Sequence, residues 1–305
     1  MIIRKKEHWF KMLFIWHGSV LPGLLPRLLL LFLLSLAVVY AHGTIFSFKV
    51  PLNPSPLTLS GFVLALFLGF RNSASYDRYW EARKLWGILL NTNRSLVRQF
   101  LTLPIGPADT RRTSSFVGLL NAFTFALKHQ LRGTDPAVDL EERLDKEQLA
   151  EVSSAKYKPI ILLNLLARSV ARERAEGKID PIQQACFEEH FNQLSGIVGG
   201  CERIATTPIP YSYRVLLHRT VYIYCFLLPF GLVDSLGWLT PFIVVFIAYT
   251  FVAFEAIADE IEEPFGTDAN DLALNQMCRM IEYTTLESAG LPVKAVPVAA
   301  TDVID

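Results

Sequence analysis

Residues 57–70 read LTLSGFVLALFLGF, and residues 71–87 continue RNSASYDRYWEARKLWG. The first run carries no charge, the second turns charged within a few residues, and no proline falls between Leu57 and Leu103. Helix-period apolar spacing continues across the change. The spacing therefore predicts one long helix, from Leu57 to Phe100, that leaves an apolar environment for water. Phe62, Leu66 and Phe70 are four apart and share one stripe. Gly61, Ala65 and Gly69 form a neighbouring stripe of small residues, a spacing that lets helices approach closely in a membrane.

The uncharged run has 14 residues. At helical rise that is about 21 Å, short of a hydrocarbon core of roughly 30 Å. Two readings follow. In one, this is a short membrane helix or a buried core helix whose aromatic stripe is packed. In the other, the helix is surrounded by copies of itself, and Phe62, Leu66 and Phe70 line a narrow passage from which water withdraws easily.

The rest of the composition sets the frame. A chain of 305 residues holds one large or two small domains. It is 51% hydrophobic, with a mean hydropathy of +0.32, and its long apolar runs point to a membrane protein. The formal net charge is zero, so no global field argues for nucleic acid. Cys186, Cys201, Cys225 and Cys278 are widely spaced with no CxxC pair, which suits a reduced cytoplasmic or intramembrane setting.

The chain opens MIIRKKEHWFKMLF, with Arg4, Lys5, Lys6 and Lys11 set among Trp9, Phe10, Phe14 and Trp16. Such a segment suits a membrane surface, and packing on the protein itself explains it equally well. No small-residue cleavage site follows the apolar run that ends at Tyr40, so the run reads as a retained anchor. Gly23–His42 is the first span, with Arg27 at its entry, and the basic residues before it place the N-terminus in the cytoplasm. Gly43–Pro56 is a proline-rich outer connector. The Leu57–Phe70 run then returns inward, towards Arg71, Arg78, Arg83, Lys84, Arg94 and Arg98.

Beyond it, helices are expected at Thr113–Leu131, Lys158–Glu176 and Ile182–Ile204, with a charged stretch from Asp139 to Glu151 and no alternating strand pattern. Asp180–Pro181 is a helix start with a cap and a first-turn proline. Val221–Val233 with Leu236, and then Leu239–Phe254, are two further spans. A tight turn at Asp234–Gly237 separates them, and a kink is expected at Pro229. The expected organisation is residues 1–71 with two spans, 72–213 as a cytosolic helical domain, 214–256 with two more spans, 257–290 as an acidic segment and last helix, and 291–305 as a disordered tail. Four spans leave both termini in the cytoplasm.

Nothing in the chain carries enzyme chemistry. HExxH, the phosphate loop, GxGxxG and GxSxG are all missing from the sequence. The six histidines form no pair at metal-ligand spacing. TDAND (267–271) is oxygen-rich but lacks the full EF-hand pattern, and a loop or helix cap accounts for it. The expectation is a non-enzyme without metal or cofactor.

SGFVLALFLGFRNSASYDRYWEARKLWG (60–87) resembles the pore-lining segment of bestrophins, in particular their bacterial branch. CERIATTPIPYSY (201–213) and EEPFGTDAND (262–271) resemble two further blocks of that family, in the right order, and the similarity spans nearly all of residues 1–288. The resemblance implies an all-α membrane protein: four transmembrane helices and a cytosolic helical bundle, assembled as a homopentamer around one axial pore. It implies a hydrophobic neck at Phe62, Leu66 and Phe70, the residues already grouped by spacing. It also implies a cytosolic aperture at Ile182, whose spacing alone reads as an ordinary packed isoleucine. Asp268 and Asp271 match the calcium-binding loop of the animal members, but Glu260 and Glu263 stand where amides belong, which speaks against a calcium gate. Animal members favour anions, whereas the bacterial branch implies monovalent cations, sodium above all. The expected function is thus a sodium-permeable channel of the bacterial inner membrane with lipid, ions and its own copies as partners and no nucleic acid. A chloride channel of the same fold is the alternative. A membrane-anchored interaction module is the competing class, and a mass measured in detergent separates the two: a monomer or dimer favours the module, a pentamer the channel.

Overall fold

The computed structural model describes residues 8–293, apart from residues 13, 17, 46–47, 50–53 and 107–108. The described elements run α1 (Trp9–Met12), α2 (Leu21–Tyr40), β1 (Thr44–Ile45), β2 (Phe48–Lys49), α3 (Pro54–Thr102) and α4 (Thr110–Arg132). They continue with α5 (Ala137–Glu141), α6 (Lys146–Ser153), α7 (Lys158–Ala175), α8 (Pro181–Thr206), α9 (Tyr211–Leu236), α10 (Thr240–Glu262) and α11 (Leu274–Ser288). The fold is helical, and among the described residues the one strand pair is a two-residue antiparallel match in the connector between α2 and α3. Of the expected amphipathic segment at 4–17, only the single turn of α1 and its neighbours are described. The expected disordered tail lies outside the described residues from 294 onward.

The chain divides into two compact units. One is made of residues 4–79 and 208–263, the other of 80–207 and 264–305 with 1–3.

In the first unit, α2, α9, α10 and the first half of α3 supply an aliphatic core that includes Leu28, Leu64, Leu68, Val221, Leu228, Val244 and Ala248. Among the described residues, three stretches are long and apolar enough to cross a membrane: Leu21–Tyr40, Ser55–Thr102 and Tyr211–Glu262. The third is a hairpin. Arg214 pairs with Asp259, His218 with Glu255, and the Tyr224 ring meets Phe251, so α9 and α10 run antiparallel. The reversal is not at Asp234. Helix α9 continues through Pro229 to Leu236, and the chain turns at Gly237, whose φ of +50° is cheap for glycine, before a 3-10 turn at Gly237–Leu239. Of the expected turn Asp234–Gly237, the first three residues continue the helix, since Asp and Ser are tolerated in a last helical turn, and Gly237 supplies the reversal.

The second unit is built round α4, which packs against α5, α7, α8 and α11. Residues Leu119–Lys128 of α4 are all buried, the mark of a helix surrounded on every side. Phe100 stacks on Phe116 with centroids 4.0 Å apart. Polar groups on this central helix are answered: the Thr285 hydroxyl donates to Asn121 Oδ1 at 2.9 Å, and Lys128 Nζ donates to Asp139 at 2.8 Å. The guanidinium of Arg143 lies 3.7 Å over the Phe125 ring. The charged stretch from Asp139 to Glu151 contains α5 and α6. The latter starts on a capping box in which Asp145 accepts from the Gln148 N–H and the Gln148 side chain accepts from the Asp145 N–H.

Candidate functional site

Helix α3 is continuous for 49 residues, about 74 Å at helical rise. Its first half has two unlike faces. Gly61, Leu64, Leu68, Arg71 and Ser75 are buried against the first unit. The opposite face carries Phe62, Leu66 and Phe70, which are 70%, 48% and 59% exposed. The spacing argument therefore holds in three dimensions: these side chains share a face, and within one chain that face is unpacked. The packed-stripe reading is set aside for the single chain. Of the small residues, Gly61 alone meets a neighbour: a Cβ there would lie 2.5 Å from the Tyr224 hydroxyl, while nothing lies within 4 Å at Gly69.

The end of this stretch that follows Phe70 is held from its packed side. The Arg71 side chain is fully buried, donates to Asp259, and reaches Glu262 at 3.4 Å. Its Nε and Nη1 are buried without a hydrogen-bond partner. Asn72 Nδ2 donates to the Phe254 carbonyl at 3.1 Å, Arg78 Nε to the Glu262 carbonyl at 3.1 Å, and the Tyr213 hydroxyl to the Phe67 carbonyl at 3.2 Å. Glu262 also accepts from the Ile209 N–H at 3.0 Å. Glu262 thus binds α3, α10 and the start of α9 at one point.

Ile182 belongs to the second unit. It is the second residue of α8, behind a capping box in which Asp180 accepts from the Gln183 N–H at 2.7 Å. It is 76% exposed, so it is no packed isoleucine within the chain. Its turn is tied to the end of α3 by the Ile105 N–H donating to the Lys178 carbonyl at 2.8 Å and Gln183 Nε2 to the Leu103 carbonyl at 3.3 Å. Further along α8, Gln193 accepts from the Thr92 hydroxyl and Arg203 pairs with Glu81, so α8 runs antiparallel to the second half of α3.

The acidic loop closes on itself. The Asp268 N–H donates to Asp271 Oδ2 at 2.8 Å, and the Asp271 N–H to the Asp268 carbonyl at 3.0 Å. Among the described residues no group of three or more His, Cys, Asp or Glu side chains is placed to hold a metal ion.

The family of bacterial and fungal bestrophin proteins matches residues 1–287. This chain is a bestrophin of the bacterial/fungal family. It is 50% identical over 295 residues to a voltage-dependent anion channel-forming protein of Ralstonia nicotianae, covering 96% of this chain and 95% of that one. Its identity to the voltage-dependent anion channel-forming protein YneE of Escherichia coli K12 is 40% over 301 residues, covering 97% and 98%. A solved bacterial bestrophin homologue from Klebsiella pneumoniae superposes with a TM-score of 0.85 at 42% identity, covering 88% of this chain and 99% of that one.

In this bestrophin, the sequence reading grouped Phe62, Leu66 and Phe70 correctly as one face and passed over Arg71, Asn72 and Glu262. A signal for Arg71 existed: a charge at the edge of an apolar span faces protein or water more readily than lipid.

Proposed function

We propose that this bestrophin forms an ion channel in the bacterial inner membrane, five copies surrounding one axial pore. The observation that carries the reading is the two-faced α3. One side is packed and pinned, and the other presents Phe62, Leu66 and Phe70, each about half or more uncovered by the same chain. Fivefold repetition closes that face into a dry collar, a hydrophobic constriction that passes ions only when it wets. Ile182, bare at the start of α8, supplies the second constriction at the cytosolic end. Four crossings, α2, α3, α9 and α10, with basic residues after Phe70, keep both termini in the cytoplasm.

The relatives from Ralstonia and Escherichia are named as anion channel-forming proteins, which favours anions as the permeant species. An apolar collar carries no sign of its own, and the charges beside it decide. We assign monovalent cations, sodium among them, on the charge at the collar's inner mouth, argued below.

The test is current through planar bilayers containing the purified chain. Leu66→Ala and Ile182→Ala each raise conductance or change ion preference. Unchanged currents in both would remove the collar and the aperture from these residues.

A further inference from the structure

We propose that Asp77 is the residue that sets the sign of the permeant ion, making the inner mouth of the neck favour cations. The inference rests on the neck reading above and deepens it.

The placement follows from helix geometry. Asp77 lies eleven residues after Leu66 on the unbroken α3, which at 3.6 residues per turn brings it within about 20° of the Leu66 direction. It is therefore in the middle of the neck stripe. Its distance past Phe70 along the axis is about 10 Å. Ser73 and Asp77 are both exposed, as the three apolar neck residues are. Asp77 makes no hydrogen bond or ion pair among the described residues.

Three basic groups of this unit near that level, Arg71, Arg78 and Arg214, are engaged elsewhere. Arg71 follows Phe70 directly but points to the opposite face, where Asp259 and Glu262 neutralise it. Arg78 donates to the Glu262 carbonyl, and Arg214 pairs with Asp259 at 3.3 Å. The next charge on the stripe is Lys84, about 21 Å from Phe70 along the helix. That is about twice the distance of Asp77 and about two Debye lengths of roughly 8–10 Å, so its field at the neck is the more strongly screened of the two. On the exposed face of α3, Asp77 is the nearest charge to the dry segment. Repeated around a fivefold axis it becomes a ring of carboxylates, the arrangement that concentrates cations and repels anions at a pore mouth.

The experiment is the reversal potential of the purified full chain in bilayers under a sodium chloride gradient. The wild-type potential lies on the sodium side. Asp77→Asn, close in shape and neutral, moves it towards zero. Asp77→Lys moves it to the chloride side, lowering the cation-to-anion permeability ratio by about tenfold or more, the low end of what a charged cleft achieves. A wild-type potential on the chloride side, or one that neither variant moves, overturns the proposal. Leu66→Ala measured in the same series separates the two levels. If it changes conductance while the Asp77 variants leave the potential fixed, the neck stands and Asp77 is the wrong residue. If Leu66→Ala changes nothing, the neck reading fails and this proposal fails with it.

Discussion

Arg71 and Glu262 meet at 3.4 Å with their side chains 0% and 5% exposed, although they stand 191 positions apart in the chain. The pair, with Asp259, fixes α3 from its packed side just past Phe70. A buried charge left without its partner is costly. Arg71→Met, which leaves Asp259 and Glu262 without it, is expected to lower stability by about 3–5 kcal/mol. The exposed pair Arg168–Glu151 is the control, where Glu151→Ala is expected to cost less than about 1 kcal/mol. Unfolding of the detergent-purified protein, followed by circular dichroism, reads both. Equal losses for the two variants would contradict the role given to Arg71.

Gly118 tests the second unit's packing. A Cβ on this α4 residue would stand 2.5 Å from the Arg143 carbonyl oxygen, which is backbone and cannot swing aside. Gly118→Ala is expected to destabilise by about 1–3 kcal/mol, the usual cost of overpacking, measured by the same unfolding experiment.

Cys186 offers a native probe of the aperture. It lies one turn past Ile182 on the same face of α8 and is exposed, while Cys201, Cys225 and Cys278 are buried. Burial pushes the Cys201 and Cys278 thiols up to about 12, which keeps them unreactive. A bulky charged thiol reagent is expected to label Cys186 and reduce the current, and Cys186→Ser is expected to abolish the effect. Labelling confirmed by mass without loss of current would take the Ile182 face out of the ion path.

The join between α4 and the end of α7 is expected to weaken slightly in acid. The hydrogen bonds from Arg112 and then Lys178 hold the Glu176 carboxyl down at about 2, against its ordinary 4.5. A depressed carboxyl contributes stability that is complete above the ordinary value and is lost as pH falls towards about 2. Denaturant titrations between pH 5 and 2 are expected to show a decline that is shallower in Glu176→Gln. Because Glu176 is exposed, the difference is small and shrinks in high salt.

Local patterns made much of this readable from residues 57–103 alone. The absence of proline and the continuous helical spacing give α3 nearly to its ends, and the four-residue spacing gives the neck face. Asp180–Pro181 announces the start of α8. Other features depend on distant partners. Arg71 reads locally as one more inward-side basic residue, and only folding shows Asp259 and Glu262 closing on it. Ile182 has no local signature, since exposure of one isoleucine is a property of the packed chain, and its assignment came through family resemblance. The charged stretch hid α6 because net charge masked the Asp145–Gln148 capping box.

The central claim is that the Phe62–Leu66–Phe70 face looks inward on a fivefold axis. Its most direct measurement is the structure of the intact assembly purified in detergent. The account predicts five copies with these three side chains ringing an axial tunnel at its narrowest point in the membrane. An assembly that turns this face towards lipid, with no tunnel along its axis, would contradict it.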